Sequence, residues 1–258
     1  MPLLRLANKI EGVIKMSLGN KVIGTTTVKL GIYDEDDDSQ LIGSLGQRKV
    51  LEDGREFVLC YSGGALTAGI LVQAPAPDAA DDELVVNTAA AAGDKEVEIT
   101  VTAGHGGYDA SALQEGYLMV TKGTNCIGTF YKIKDNDAMV ASESATITLY
   151  DPLTYAIAVN DEVCVVRNPY KDVVTGSTTA PVIGVPLQAV SDNHYFWALC
   201  KGVGPGVDSG SGVAAGDDLT HVGGDVITQD GTEDKSIGTA FNTAAANEGV
   251  IVNYTGLC

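Results

Sequence analysis

Residues 49–75, KVLEDGREFVLCYSGGALTAGILVQAP, set Glu52, Asp53, Arg55 and Cys60 close together among four glycines. Acid, base and thiol at such spacing are the ingredients of a nucleophilic site, in which a neighbouring cation or base favours the thiolate. The same residues have a geometric reading. Asp53-Gly54 is a strong two-residue hairpin signal, because both turn positions need positive φ and these residues tolerate it. Across a type I′ turn Glu52 faces Arg55, Leu51 faces Glu56 and Val50 faces Phe57. The first pair is an opposite-charge contact worth about 0.2–1 kcal/mol. Gly63-Gly64 then ends the second strand. On this reading the stretch is a hairpin, and its residues serve geometry.

Other candidates thin out in the same way. The acidic run DEDDDS (34–39) carries the alternate acids of a calcium loop in Asp34, Asp36 and Asp38. Ser39, however, stands at the turn glycine and Leu45 at the bidentate glutamate, so it reads as a solvated acidic loop. His105, His194 and His221 lack a partner at i+2 to i+4 that makes a metal pair, and each reads as a turn or surface histidine. Five cysteines (Cys60, Cys126, Cys164, Cys200, Cys258) form no C-x-x-C pair. Their odd count points to buried free thiols rather than a disulfide framework or a zinc site. There is no P-loop and no G-x-S-x-G elbow. In the glycine-rich GVGPGVDSGSGVAAGDD (202–218), Val207 replaces the third glycine of a dinucleotide loop and acids crowd the rest. That stretch reads as a flexible or assembly-contacting surface loop. A carboxylate pair for glycoside hydrolysis is the remaining route to chemistry, but one Trp and four Phe supply few rings for stacking sugars. No catalytic, cofactor-binding or metal-ligating residue is assigned, and the chain is expected not to be an enzyme.

The elements that would position any site are strands. Gly, Ala, Thr and Val dominate, charged residues are only 19% of the chain, and such a composition favours short strands joined by tight turns. KEVEITV (95–101), GYLMVT (116–121), GTFYKIK (128–134), ATITLY (145–150) and DEVCVV (161–166) recur at short spacing with turn residues between them. VIGVPLQAV, HYFWALC, GDVIT, SIGTAF and GVIVNY follow. The Pro/Ala/Asp-rich APAPDAADDE (74–83) marks a linker, and NPYKDVVTGSTTAP (168–181) a second boundary. The expected fold class is mainly β, an N-terminal arm and hairpin followed by two small β-sandwich or β-barrel-like domains. The expected division is an arm at 1–46, a hairpin segment and linker at 47–80, a β domain at 81–170 and a C-terminal β domain at 171–258. Residues 1–33 read two ways. Leu3, Leu6, Ile10, Val13 and Ile14 fit one helical face, whereas TVKLGIY (27–33) alternates like a strand. NTAAAAGDKEVEITV (87–101) and NTAAANEGVIVNYT (242–255) echo each other, each a small-residue elbow feeding a strand, although two copies do not make a repeat.

Net charge is −18 over 258 residues. It is split, with +4 on residues 1–33 and −22 on the remainder. So acidic a body repels phosphate backbones, which argues against nucleic acid as a partner. No stretch approaches the ~18 consecutive apolar residues of a membrane span. Arg5, Lys9, Glu11 and Lys15 break the N-terminal apolar run, which therefore does not read as a signal peptide.

From the hairpin onward the order of short motifs is familiar. DGREF, GGALTAGILVQAP, GTFYKIK, TLYDPL, NPYKDVV, PVIGVPLQAV, YFWALCKGVG and EGVIVN resemble a group of structural proteins of tailed bacteriophages. These accompany the major capsid protein and are viewed as head decoration, or cement, proteins. The likeness spans about residues 47–258 and excludes the N-terminal segment. It implies a non-enzymatic, mainly β protein without cofactor that is made in the host cytoplasm and sits on the capsid exterior. Its partners would be the major capsid protein and copies of itself, as in a homotrimer. The basic, apolar N-terminal segment is then the candidate capsid contact, through Leu3, Arg5, Leu6, Lys9, Ile10, Val13, Ile14 and Lys15. The alternative is a carbohydrate- or receptor-binding β module of a phage tail or host-surface protein.

Overall fold

Alternating branched and polar residues make strands, and strands are the regular structure of the described chain. The computed structural model describes residues 30–37, 44–177, 180–208, 210, 212–229 and 236–257. The fold is all-β, with a closed six-stranded barrel and a larger curled sheet. By contact the chain divides into a continuous unit, Pro75–Lys171, and a discontinuous one on either side of it.

In the discontinuous unit the first strands are β1 (Glu35–Asp36), β2 (Arg48–Val50), β3 (Glu56–Tyr61) and β4 (Val72–Gln73). β1 lies inside the acidic run read above as a loop and pairs Glu35 with Phe196. The carboxylate of Glu35 accepts the Ser191 hydroxyl at 2.9 Å, which fixes it there. Residues 31–34 are a turn closed by Asp34 N–H on the Gly31 carbonyl, so the alternation of Leu30 and Ile32 does not become a strand.

β2 and β3 form the expected hairpin with its register moved by one residue. Val50 pairs with Glu56 and Lys49 with Phe57. The Gly54 N–H reaches the Leu51 carbonyl and the Leu51 N–H reaches the Arg55 carbonyl. Of the two turn residues only Gly54 has positive φ, at 85°, so this is a type I turn with a bulge at Gly54 and not a type I′ turn. Leu51 decides the matter. A one-residue slip exchanges the two faces of a strand, and the observed register buries Leu51 to 1% exposure beside Phe57 and Leu59.

The barrel unit holds β5 (Leu84–Val86), β6 (Glu96–Thr100), β7 (Tyr117–Lys122), β8 (Phe130–Asn136), β9 (Ser144–Leu149) and β10 (Glu162–Val166). They close in the order β10-β5-β6-β9-β8-β7, with every pair antiparallel. Period-two alternation fills the inside: Val97 and Ile99, Ala145 and Ile147, Leu118 and Val120, Val163 and Val165 all point in and are buried. Each such branched aliphatic contributes roughly 1.5–3 kcal/mol of burial. Bulges at Glu162/Val163 and Ile133/Asp135 add the local twist that closure requires.

The chain then returns to the first unit as β11 (Val174–Thr175), β12 (Val182–Pro186), β13 (Tyr195–Val207), β14 (Asp218–Val222), β15 (Asp225–Thr228), β16 (Gly238–Ala240) and β17 (Gly249–Tyr254). β13 organises this unit, because it pairs with β1, β3, β12 and β17. The hairpin segment 47–80 and the C-terminal segment 171–258 therefore contribute strands to one sheet instead of forming consecutive blocks. The sheet curls until the Gly224 carbonyl accepts the Leu71 N–H at 2.7 Å. Gly202–Val207, read above as loop, is the second half of β13, in register with Tyr254–Gly249. Its glycines reflect close packing: a Cβ on Gly204 would lie 2.1 Å from Leu199 Cδ2.

The faint echo between residues 87–101 and 242–255 has a geometric basis. Ala90 bridges to Ile157 and Ala244 to Val213, each through two reciprocal backbone hydrogen bonds. After each of these four residues comes a turn whose third position, Gly93, Asn160, Asn247 or Gly216, has positive φ. The acid that follows, Asp94, Asp161, Glu248 or Asp217, accepts the first N–H of its own turn. Leu66 with Val190 and Tyr108 with Met139 repeat the bridge, with Gly69, Asn193, Ser111 and Ser142 at positive φ. Positive φ at that position is the mark of a type II turn, and both units use it to feed their strands.

Candidate functional site

The eight N-terminal residues named as capsid contacts lie outside the described residues. Cys60 on β3 is fully buried, and burial pushes its thiol up, the reverse of an activated cysteine. Cys126 is also buried and free, and Cys164 is half-buried and free. Cys200 is disulfide-bonded, which corrects the reading of free thiols throughout; tertiary proximity, which spacing along the chain does not reveal, decides such pairing. His194 and His221 each face a nearby backbone carbonyl, of Asp192 and Gly223.

His105 differs. It belongs to the best-built polar cluster of the barrel unit, with Asp81 from the start of that unit and Tyr108 three residues further on. His105 Nε2 lies 3.0 Å from Asp81 Oδ1, and the Tyr108 hydroxyl donates to Asp81 Oδ2 at 2.7 Å. Asp81 Oδ2 also accepts the Asp78 N–H at 2.9 Å. The Gly107 N–H donates to His105 Nδ1 at 2.8 Å, so the ring proton sits on Nε2 and points at Asp81. The His105 and Tyr108 rings meet edge to face, and Arg167 covers the tyrosine ring 5.3 Å from its centroid. The guanidinium of Arg167 also donates to the Ala76 carbonyl at 2.8 Å. Burial and then the Asp81 carboxylate push the tyrosine hydroxyl up. Beside them, Ala80 and Gly106 N–H groups hold the Asp78 carboxyl below its usual range.

An aspartate orienting a histidine is half of a catalytic triad. The other half needs the remaining ring nitrogen exposed to a nucleophile. Here Nδ1 already accepts a backbone proton, and the His105 side chain is wholly buried. The cluster therefore pins residues 76–83 to the barrel, and it answers the desolvation of a buried carboxylate with three donors. The linker reading missed Asp81 because a Pro/Ala/Asp stretch looks solvated. The available signal was a histidine set among Gly104, Gly106 and Gly107, where backbone comes close. A Cβ on Gly106 would lie 2.9 Å from Asp78 Oδ2.

Two open depressions carry charge. One of about 710 Å³ in the discontinuous unit is lined by Arg55, Lys201, Asn253 and Tyr254. Its cations are engaged, Arg55 with Asp53 at 2.6 Å and Lys201 with Glu56 at 3.1 Å. One of about 420 Å³ on the barrel holds Asp94, Lys95, Glu96 and Glu98. There Asp94 caps its own turn and Lys95 donates to the Tyr150 carbonyl. Lys49 is the other buried charge of note. Burial lowers its amine to about 8, against the pull of Asp34 in the other direction. Among the described residues no group of three His, Cys, Asp or Glu is placed to hold a metal ion. No protein-family model, no curated protein and no solved structure matches the chain.

Proposed function

We propose that this chain is a virion structural protein that binds the outer surface of an assembled tailed-phage capsid and stabilises it. Support comes first from the order of motifs along residues 47–258, which resembles head decoration proteins. The observation that carries the reading is how the two units use their polar groups. The Asp81–His105–Tyr108 cluster, the acid-capped turns and the Arg55 and Lys201 ion pairs all satisfy the chain itself. What such a chain offers outward is broad β surface, suited to lying against another protein. On this reading the major capsid protein is the partner, and the N-terminal segment from Leu3 to Lys15 joins the contact.

The carbohydrate-binding reading has less support. A sugar platform turns ring faces toward the ligand, whereas Tyr117 and Phe130 stack on each other at 5.0 Å and 19°, which covers one face of each.

The test is co-sedimentation with capsids that lack the protein, using the full chain and a chain without residues 2–33, at low and moderate salt. Saturable binding of the full chain is expected, with most of it lost on truncation. Absence of binding by the full chain overturns the capsid reading, and full retention by the truncated chain overturns the role of the N-terminal segment.

A further inference from the structure

The outside of the barrel unit is apolar where β10, β7 and β8 run side by side. Register sets Cys164 beside Met119 and Met119 beside Phe130, and in the next row Val166 beside Tyr117. Their chain neighbours Val163, Val165, Leu118, Val120 and Tyr131 fill the barrel, so alternation turns this set outward. Phe130 is 60% exposed, Val166 47% and Met119 38%. Exposed apolar side chains gathered on adjacent strands, unlike scattered ones, mark a contact surface.

The charges around this centre indicate what covers it. At one end Lys122 pairs with Glu162, and at the other Lys132 pairs with Glu115. A surface built for a basic partner would present carboxylates without cations, and one built for an acidic partner the reverse. In both of these pairs lysine and glutamate are already matched, on a chain of net charge −18. Two copies of so acidic a chain repel over most of their surfaces, and least where charge is neutralised. An isologous contact must also complement itself. A two-fold axis through the apolar centre, perpendicular to the line joining the two ends, would lay the Lys122–Glu162 end of one copy over the Lys132–Glu115 end of the other.

We propose that the outer β10-β7-β8 face of the barrel is where two copies of this chain pack together. The apolar centre supplies the driving force, and the ion pairs form a rim that fixes the orientation. The pairing does not depend on the capsid reading, and its test uses no capsid.

The experiment is sedimentation velocity of the full chain over a concentration series, with Phe130→Glu beside it. Wild type is expected to shift from the mass of one chain toward that of two as concentration rises. Phe130→Glu places a carboxylate in the centre of both copies and should weaken association at least about tenfold. Cys164 gives a second readout, because it is a half-buried free thiol within the face. Its maleimide labelling should slow with concentration in wild type and stay constant in the variant. If Phe130→Glu loses its β-sheet circular dichroism, Met119→Lys takes its place. A wild type that keeps the mass of one chain throughout overturns the proposal and leaves the face to a different partner. Association that the folded variant retains unchanged overturns it as well, by placing the contact elsewhere.

Discussion

Lys49 and Trp197 converge on one acceptor. The ammonium donates to the Leu30 carbonyl oxygen at 2.6 Å and the indole N–H donates to the same oxygen at 3.0 Å. The ammonium also lies 4.1 Å from the indole ring centroid, within cation–π range. The arrangement ties Leu30 to β2 and β13 and holds a cation in a place that water scarcely reaches.

A stability profile against pH should report that cation. Its folded-state value, about 8, lies below the 10.5 of a free lysine. Between those values the unfolded chain holds the proton and the folded chain does not. The burial penalty is therefore complete below pH 8 and is relieved as pH rises toward 10.5. Lys49→Met lacks this dependence. It should lie within about 1 kcal/mol of wild type at pH 7, since a well-packed apolar side chain replaces a buried charge at little cost. Wild type should then gain on it by on the order of 1 kcal/mol from pH 8 to 10. Urea denaturation at each pH measures both, and parallel profiles would refute the assignment.

Gly54 has φ of 85° and nothing within 4 Å of an added Cβ, so substitution there tests backbone strain alone. Gly54→Val should cost at least about 1 kcal/mol. Gly54→Asn should stay near wild type, because asparagine tolerates the left-handed region. Thermal melts that place the two variants together would remove the bulge from the account.

Asp81→Ala leaves the Tyr108 hydroxyl, the His105 Nε2–H and the Asp78 N–H without their acceptor inside the barrel unit. The expected loss is about 3 kcal/mol or more, and Tyr108→Phe, which removes one donor, should lose about 1–2. Hydrogen exchange should speed up at residues 76–83 in the alanine variant. Unchanged exchange there would show that the cluster does not hold the segment.

Gly204→Ala drives a methyl into Leu199, and overpacking of this kind costs about 1–3 kcal/mol. Shortening the opposing side chain in Leu199→Val should make the two changes less than additive. A double-mutant cycle by chemical denaturation checks this, and strict additivity would mean that the close approach is not what demands glycine.

The barrel was legible because its strands alternate cleanly. Glu96-Val97-Glu98-Ile99 and Ala145-Thr146-Ile147-Thr148 declare both strand and inward face. β13 was half legible, since Phe196-Trp197-Ala198-Leu199 announces a buried strand while Gly204, Pro205 and Gly206 look like loop. The reason those residues are strand lies in packing that the local stretch does not announce, against Leu199 earlier in β13 and Val252 on the neighbouring β17. The hairpin was visible in Asp53-Gly54, but its register depended on where Leu51 is buried, a tertiary fact. Asp81 and His105 are separated by 24 residues, and nothing local to either announces the other.

The division of the chain sets an order of events during synthesis. The barrel is complete in the nascent chain once Lys171 has emerged, whereas β3 ends at Tyr61 and waits for a partner strand that begins at Tyr195. At ~5–20 residues per second that wait is roughly 7–27 s. Meanwhile Phe57-Val58-Leu59-Cys60, all wholly buried in the finished fold, are exposed to solvent or to a chaperone. Ribosome-arrested chains should therefore acquire protease protection across residues 75–171 first, with residues 56–61 protected only after the chain has emerged past Val207.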